Sequence, residues 1–280
     1  MLEVSHYNMP LSLTKLLVNA RLQRVLIPVL PPDLPTAFSL TDAYSIQNEI
    51  LADAELPFGK LIGWKCGATN AAAQASLGLQ TAFYGPLFEG NLLPNGCEVS
   101  LSSLGAFRAS EAEFAFYLKE DLAAKTDGKP YTNDEVWSKI SHACPVIELA
   151  ATRFGLPLTP PLIVADFALN GCVVLGDKFD PAMIPDGPKA LAQASAALVI
   201  NDAQVAANKG ENVLGSPLNS LTWLANELIA HGHHHLHSGQ LVITGAATAH
   251  AVLKAGDSLT ARFGGFHKEK ELTVTLHTTQ

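Results

Sequence analysis

The chain has 280 residues, and its 18 basic and 26 acidic side chains give a formal net charge of −8. Binders of nucleic acids or anionic membranes carry a basic excess, so the acidic balance argues against both classes. The hydrophobic share of 48% and the charged share of 16% argue against disorder. They predict a large core, with buried contacts between subunits.

Nothing in the sequence indicates export or membrane insertion. No stretch approaches the roughly 20 apolar residues that a membrane helix needs. The first residues, MLEVSHYNMP, lack a basic segment followed by an apolar run, so we expect no secretory signal and a cytoplasmic location. The cysteines form no CxxC pair and no zinc pattern, and we expect reduced, mostly buried thiols at Cys66, Cys97, Cys144 and Cys172.

The first sixty residues predict a helical N-terminal segment, residues 1–60. Apolar residues recur at helical spacing between Ser12 and Ile27, at Leu13, Leu16, Leu17 and Ala20. A second helix is predicted over DAYSIQNEILADAEL, with Thr41 as its N-cap and Asp42 in its first turn. The Pro-rich segment PVLPPDLPTAF separates the two helices, because proline interrupts a helix.

From residue 61 to 280 the pattern predicts a β-rich domain with mixed strand pairing. Asn201 and Asp202 tolerate a positive φ and indicate a hairpin turn, and Ser216 and Pro217 begin a helix that Gly232 ends. A short Ala-rich helix is predicted over NAAAQASLGL. Strands are predicted over LIGWKCGAT, EFAFYLKEDL, CPVIELAATRF, NGCVVLGDK, LVITG, SLTARFG and ELTVTLHT.

Three acidic residues carry the strongest chemical signal. On a strand, Glu111 and Glu113 share one face with the small Ala115, while Phe114, Phe116 and Leu118 take the other. Glu148 lies alone in an apolar segment, where an isolated carboxylate is costly. Three carboxylates are hard ligands that suit Mg²⁺ or Mn²⁺ and leave open coordination positions for catalysis.

The spacing alone leaves another interpretation open. Glu111 and Glu113 could be exposed residues of an edge strand, with Glu148 paired to Arg153 or Arg108. Lys65, between glycines in GWKCG, could bind a substrate carboxylate or move a proton. It could equally be an ordinary lysine that extends its ammonium to solvent.

Other motifs add little. The histidine run from His231 to His237 predicts a solvated loop, because three adjacent histidines cannot all point at one ion from a regular element. The sequence contains no GxSxG, P-loop, GxGxxG or HExxH motif.

Several longer segments together resemble one family. In order they are DAYSIQNEI, GKLIGWKCGATNAAAQASLGL, YGPLFEG, ASEAEFAFYLKEDL, CPVIELAATRF, VADFALNGCVVLG, SPLNSLTWLANEL and GQLVITGAATAHAVLKAGDSLTARFGG. The chain resembles the 2-keto-4-pentenoate hydratase group of the fumarylacetoacetate hydrolase superfamily, over roughly residues 40 to 276. The combination is specific, although the ExE pattern alone is not.

The resemblance implies a fold and roles for particular residues. The implied fold is α+β, a rolled mixed β-sheet domain of the fumarylacetoacetate hydrolase C-terminal type with a helical N-terminal part. The resemblance also implies Mg²⁺ or Mn²⁺ as cofactor and a homo-oligomer. The implied metal ligands are Glu111, Glu113 and Glu148, the implied catalytic lysine is Lys65, and the implied substrate-binding residues are Tyr84, Gly85, Asp166, Thr244 and Gly245.

The resemblance also implies a reaction. It is the addition of water to a 2-hydroxy-2,4-dienoate, giving a 4-hydroxy-2-oxo acid in the breakdown of aromatic compounds. The alternatives are decarboxylation of a 2-oxo-3-enedioate, hydrolysis of a C–C bond on the same metal site, or ligand binding without catalysis. Two departures bear on the choice, because Phe83 and Phe167 stand where the group commonly has Asp and Asn, which predicts more apolar surroundings for the metal site.

Overall fold

The structure is a computed structural model that describes residues 12–32, 38–52, 58–155, 157–231 and 234–280, except the side chains of Phe107 and Arg108. Among these residues, no helix is both long enough and apolar enough to cross a membrane. The described α-helices are α1 (Leu13–Gln23), α2 (Leu40–Leu51), α3 (Ala71–Leu77), α4 (Asn133–Trp137), α5 (Pro160–Ala165) and α6 (Pro217–Ala230).

Twelve strands are described, and they form two sheets. The first six are β1 (Leu61–Gly67), β2 (Phe83–Phe88), β3 (Leu92–Pro94), β4 (Cys97–Ser100), β5 (Ala106–Leu118) and β6 (Ile140–Thr152). The others are β7 (Asn170–Leu175), β8 (Ser195–Ile200), β9 (Ala203–Lys209), β10 (Leu241–Ala246), β11 (Ser258–Gly264) and β12 (Leu272–Thr279).

The larger sheet is rolled, and its interior holds the candidate site. Its seven strands run in the order β2-β1-β10-β5-β6-β7-β3. Only a short turn at 89–91 separates β2 from β3 along the chain, although these strands lie at opposite ends of the order. The sheet must therefore curl until its two ends approach each other. The pairing is mixed, as predicted, because β1–β10 and β3–β7 are parallel and the other pairs are antiparallel.

The main core lies between the outer face of the roll and the smaller sheet. That sheet has the order β4-β12-β11-β8-β9. Phe114 and Phe116 of β5 point into this core, and the Phe114 ring meets Phe266 edge-on at 4.7 Å between centroids. Ala115 points instead into the roll, among apolar residues of the neighbouring strands. The alternation predicted for β5 is therefore confirmed, and it leaves the acidic face of the strand inside the roll.

The N-terminal helices pack beside α5 in a separate apolar cluster. Helix α2 begins after Ser39, not at the predicted Thr41. The Ser39 hydroxyl accepts from the amide of Asp42, and the Asp42 carboxylate accepts from the amide of Ser39. This capping box satisfies two free amides at once, whereas Thr41 would satisfy one, so the prediction of Thr41 was wrong.

Several other predicted features agree with the structure, although the first helix ends at Gln23 and not at the predicted Ile27. The β8–β9 hairpin turns at Asn201 and Asp202, with φ of 47° and 68°. Helix α6 begins at Pro217, after Ser216. Gly232, its predicted end, lies outside the described residues, as do residues 53–57 of the second predicted helix. All four cysteines are free and three of them are buried, as expected.

Candidate active site

Three carboxylates meet inside the roll, on two adjacent strands. Glu111 of β5 lies directly opposite Glu148 of β6, and Glu113 follows two residues later on the same face. Each residue offers a carboxylate oxygen, and these oxygens all lie within 4.8 Å of one another. Glu113 and Glu148 are fully buried, and Glu111 is half-buried. The interpretation of Glu111 and Glu113 as exposed residues of an edge strand is therefore wrong.

The carboxylate group suits a divalent cation on its own chemistry. Both oxygens of Glu148 and Oε1 of Glu113 are buried and accept no hydrogen bond within the described chain. Buried polar atoms are normally paired, so these three oxygens are unusual, and a single ammonium beside Oε1 of Glu148 leaves the other two without a partner in the described chain. Carboxylate oxygens are the ligands that Mg²⁺ and Mn²⁺ prefer. The donor set therefore fits the group that the sequence predicted for it.

The backbone amide of Gly245 orients Glu113. It donates to Oε2 of Glu113 at 2.6 Å and so leaves Oε1 free to face the other carboxylates. Gly245 has φ of 102°, a conformation that favours glycine. A Cβ at this position would lie 2.2 Å from Oγ1 of Thr69. The glycine is therefore required twice, by its backbone angle and by the close approach of Thr69.

Lys65 of β1 reaches the carboxylates across the interior of the roll. Its Nζ lies 3.0 Å from Oε1 of Glu148, and the two side chains form a buried ion pair. The same ammonium donates to the carbonyl oxygen of Ala168 at 2.9 Å. Lys65 is only 3% exposed, so it does not extend to solvent. The cation next to Glu148 is Lys65 and not Arg153, which was one of the two alternatives from the sequence.

The charges in this group shift one another's pKa. Burial raises the pKa of Glu113 well above its ordinary value, and the neighbouring carboxylates raise it further. Burial also raises the pKa of Glu148, although Lys65 opposes that effect. Burial alone would lower the pKa of Lys65, but Glu148, Glu113 and Glu111 outweigh it and the net pKa is raised. Lys65 is therefore a protonated group beside carboxyls that resist losing their protons.

An unusual turn holds the partner of Lys65. Phe167, Ala168 and Leu169 all have positive φ, of 55°, 56° and 63°. Left-handed backbone costs roughly 1–2 kcal/mol at each non-glycine residue, so surrounding contacts must hold this turn. One of them is close packing on Gly85 of β2, where a Cβ would lie 2.5 Å from the carbonyl oxygen of Phe167. Gly85 thus lets the turn bring the Ala168 carbonyl to Lys65.

Asp166, just before this turn, is engaged by the chain itself. Arg21 of α1 donates to its Oδ1 through Nε at 3.0 Å and through Nη2 at 2.6 Å. The hydroxyl of Thr152 and the amide of Arg153 donate to its Oδ2, at 2.7 Å and 2.6 Å. Asp166 is fully buried. Its predicted contact with substrate stays a prediction, and the visible contacts give it the role of holding the turn.

Two other predicted substrate residues direct their side chains away from the carboxylates. Tyr84 lies opposite Cys66 across β1 and β2, on the face opposite to Lys65, and its ring stacks on Tyr44 at 4.5 Å. The Thr244 hydroxyl donates to the carbonyl of Phe114, on the outer face of the sheet. The structure therefore brings together the acids, Lys65, Gly85 and Gly245, and places Tyr84 and Thr244 behind them.

The two departures from the family pattern have different consequences. Phe83 lies opposite Gly67, on the same face as Lys65, and a Cβ on Gly67 would lie 2.2 Å from its ring. Phe83 belongs to the apolar cluster of the N-terminal helices and α5, so its ring packs between β2 and those helices. The Phe167 ring instead packs between Phe58 and Phe88, with the Arg21 guanidinium 4.4 Å from its centroid. Phe167 does not bring its ring to the carboxylates.

Three residues at or behind the site were not predicted: Arg21, Thr69 and Ala168. Arg21 lies 145 positions from Asp166, and Ala168 lies 103 positions from Lys65. Ala168 contributes a backbone carbonyl, which every residue has. Thr69 and Ala168 lie in segments that carry the family resemblance and Arg21 lies outside it, but nothing in the sequence indicates the contacts that these three residues make.

Comparison with known proteins supports a specific family. No family model matches the chain. A 4-oxalocrotonate decarboxylase from Pseudomonas putida is 30% identical over 256 residues, 91% of this chain and 93% of that protein. A 2-keto-4-pentenoate hydratase from Dechloromonas aromatica is 32% identical over 225 residues, 80% of this chain and 81% of that protein.

Solved structures agree with these relatives. The 4-oxalocrotonate decarboxylase from Pseudomonas putida G7, complexed with magnesium and adipate, aligns with a TM-score of 0.81 and 27% identity over 95% of both chains. A fumarylpyruvate hydrolase from Pseudomonas aeruginosa shares the fold at a TM-score of 0.57 and 12% identity, over 78% of this chain and 89% of that one. The predicted α+β fold with a rolled mixed sheet is confirmed. The chain belongs to the family of 4-oxalocrotonate decarboxylases and 2-keto-4-pentenoate hydratases.

Proposed function

We propose that Glu111, Glu113 and Glu148 hold one divalent cation, Mg²⁺ or Mn²⁺, and that the chain is a metal-dependent enzyme acting on a 2-oxo acid. The observation that carries the proposal is the set of three buried carboxylate oxygens without a hydrogen-bond partner in the described chain. The magnesium in the solved decarboxylase structure supports it by analogy.

The cation would supply positive charge that stabilises the enolate of a 2-oxo acid. The residues of the chain supply the proton and hold the reacting groups in place. Lys65 holds its proton on Nζ within the roll, where it can bind a substrate carboxylate or deliver that proton to carbon. The carbonyl of Ala168 keeps the ammonium in place, and the amide of Gly245 keeps Glu113 turned toward the other acids. The apolar base of the roll excludes water below the site.

We propose hydration of a 2-hydroxy-2,4-dienoate as the reaction. The dienol first becomes its 2-oxo-3-ene tautomer when the C2 hydroxyl loses its proton and a proton is added at C5. Water then adds its hydroxyl at C4 and its proton at C3, which gives a 4-hydroxy-2-oxo acid. Lys65 is the group placed to carry a proton, because its Nζ faces the carboxylate cluster and a backbone carbonyl. The hydratase relatives, at up to 32% identity, support this choice.

Decarboxylation of a 2-oxo-3-enedioate is the second candidate. Two observations favour it. The decarboxylase relative matches 91% of the chain, whereas the hydratase matches 80%. Phe83 also stands where the hydratases commonly carry an acid, on the face of the sheet that carries Lys65. Loss of CO₂ needs the same stabilised enolate but no bound water.

The remaining site assignments are part of this proposal. Gly85 and Gly245 line the site through their backbone, while contact of Tyr84, Asp166 and Thr244 with substrate stays a prediction. The division at residue 60 into a helical segment and a catalytic domain is likewise proposed, as is a homo-oligomer.

One ultraviolet assay separates the two reactions. The metal-free protein is supplied with Mg²⁺ or Mn²⁺ and either 2-hydroxypenta-2,4-dienoate or 2-oxohex-3-enedioate, and the product masses are recorded. A gain of one water on the first substrate supports hydration, and metal-dependent release of CO₂ from the second supports decarboxylation. If neither substrate reacts and neither raises the thermal stability of the metal-loaded protein, the proposed substrate class is wrong.

A further inference from the structure

A second cluster of metal-ligand side chains lies outside the roll, where β5 is followed by residues 119–122 and where residues 234–237 approach β10. Leu122 and Leu236 form an isolated antiparallel bridge, and both are fully buried. Side chains alternate on extended backbone, so the residues flanking each leucine point outward. His235 and His237 therefore lie on the same side, and Asp121 lies beside them on the facing segment.

The distances in this cluster suit a metal better than a hydrogen bond. Oδ2 of Asp121 lies 3.6 Å from Nε2 of His235 and 3.4 Å from Nδ1 of His237. Both separations exceed the 2.7–3.2 Å or so of a hydrogen bond. Two ligand atoms that each lie about 2.0–2.1 Å from one tetrahedral ion are about 3.3–3.4 Å from each other. This separation is close to the two distances observed here.

Asp121 is oriented by the backbone. Its Oδ1 accepts from the amide of Ser238 at 2.7 Å, which turns Oδ2 toward both imidazoles. The Ser238 hydroxyl donates to the carbonyl of Lys119, so the two segments are joined on both sides of the cluster. Such contacts orient the ligands of metal sites. The side chains of Asp121 and His237 are 52% exposed and that of His235 is 34% exposed, so an ion can enter from solvent.

We propose that Asp121, His235 and His237 form a second metal site, selective for a late first-row divalent cation such as Zn²⁺. Two imidazole nitrogens and one carboxylate oxygen favour Zn²⁺, Cu²⁺ or Ni²⁺ over Mg²⁺, whereas the three acids in the roll have the opposite preference. The remaining coordination positions take water. The site links the segment after β5 to the segment before β10. His235 and His237 of the histidine run can share one ion because they lie on the same side of the chain, and Asp121 supplies the third ligand from a distant segment.

Zinc titration of the full chain by isothermal titration calorimetry tests the site. Excess Mg²⁺ is present to occupy the carboxylate site. We expect one zinc equivalent in the wild type and an affinity lower by about tenfold or more in His235→Ala, His237→Ala and Asp121→Asn. The matched control is His231→Ala, which removes an exposed histidine of the same run outside the cluster, and its zinc affinity should equal that of the wild type.

A second variant separates the two metal sites. Glu113→Gln removes one of the acids in the roll and should leave zinc binding unchanged. If zinc binding disappears in Glu113→Gln, zinc occupies the roll and the proposal is wrong. Equal losses in His231→Ala and His235→Ala would mean unspecific chelation by the run. An Asp121→Asn variant with wild-type affinity would also overturn the proposed ligand set.

Discussion

Arg21 and Asp166 form a buried ion pair that joins the first helix to the turn beside the candidate active site. Nη2 of Arg21 lies 2.6 Å from Oδ1 of Asp166, and the two side chains are 8% and 0% exposed. Arg21 also donates to the backbone carbonyls of Asp166 and Asn170, which bracket the left-handed turn. The pair therefore stabilises the backbone that presents the Ala168 carbonyl to Lys65.

Replacing Arg21 should lower stability and activity together. Arg21→Met leaves the buried Asp166 without its cation, and breaking a buried pair from one side costs about 3–5 kcal/mol. Urea unfolding measures the loss. The control is Lys129→Met, whose ion pair with Asp127 is exposed at the surface and should change stability by less than about 1 kcal/mol. Equal stability of Arg21→Met and the wild type would show that the pair does not hold the turn.

Glu113→Gln should have opposite effects on the metal-free protein and on metal binding. The raised pKa of Glu113 means that the folded state binds a proton more tightly than the unfolded state, whose value is near 4.5. Stability of the metal-free wild type should therefore fall as pH rises above that value, until Glu113 ionises in the folded protein. The glutamine variant lacks this decline.

The measurement for Glu113→Gln is the melting temperature in EDTA from pH 4.5 to 8, repeated with Mn²⁺. In EDTA the variant should be more stable than the wild type at the upper end of the range. Addition of Mn²⁺ should raise the melting temperature of the variant only slightly, because one metal ligand is missing. Glu98→Gln, at an exposed position, is the control. An unchanged response to Mn²⁺ in Glu113→Gln would exclude Glu113 as a ligand.

Lys65→Met should remove activity and keep metal binding. The variant loses the proton on Nζ, and general acid–base catalysis contributes about 10²–10⁴-fold to rate. It also removes the positive charge beside Glu148, so the affinity for Mn²⁺ should stay the same or rise. Steady-state kinetics and a Mn²⁺ titration check the two parts. Lys60→Met, at an exposed position before the same strand, should behave as wild type in both. An unchanged kcat in Lys65→Met would remove Lys65 from the mechanism.

Gly245→Ala should damage the site by contact as well as by backbone strain. Its Cβ would lie 2.2 Å from Thr69 Oγ1, so the amide that holds Glu113 has to move. Gly239→Ala is a matched control, because its φ of 82° is also positive but nothing lies within 4 Å of the added Cβ. In both variants the alanine at a positive φ should lower the free energy of unfolding by roughly 1–2 kcal/mol, measured by urea unfolding. Only Gly245→Ala should also weaken Mn²⁺ binding, and equal binding in both variants would contradict the role of this amide.

The sequence by itself determined many of the elements and the residue types of the acidic cluster, although β2, β3, β4, α4 and α5 were not predicted from it. Alternation along β5 places the glutamates and the phenylalanines on opposite faces, because successive side chains of a strand must alternate. The Asn201–Asp202 turn and the start of α6 at Pro217 follow from the backbone preferences of the residues concerned. The proposal that three carboxylates bind a hard cation follows from their residue type alone.

Only the tertiary structure decided which distant groups meet. Lys65 faces Glu148 because the sheet rolls, and Arg21 reaches Asp166 because α1 packs beside α5. Asp121 meets His235 and His237 because two buried leucines pair between their segments. Pattern within a strand or a helix is local, whereas these contacts depend on the packing of elements up to 145 residues apart. The sequence therefore determined which side chains each face presents, and the packing of whole elements decided which faces meet.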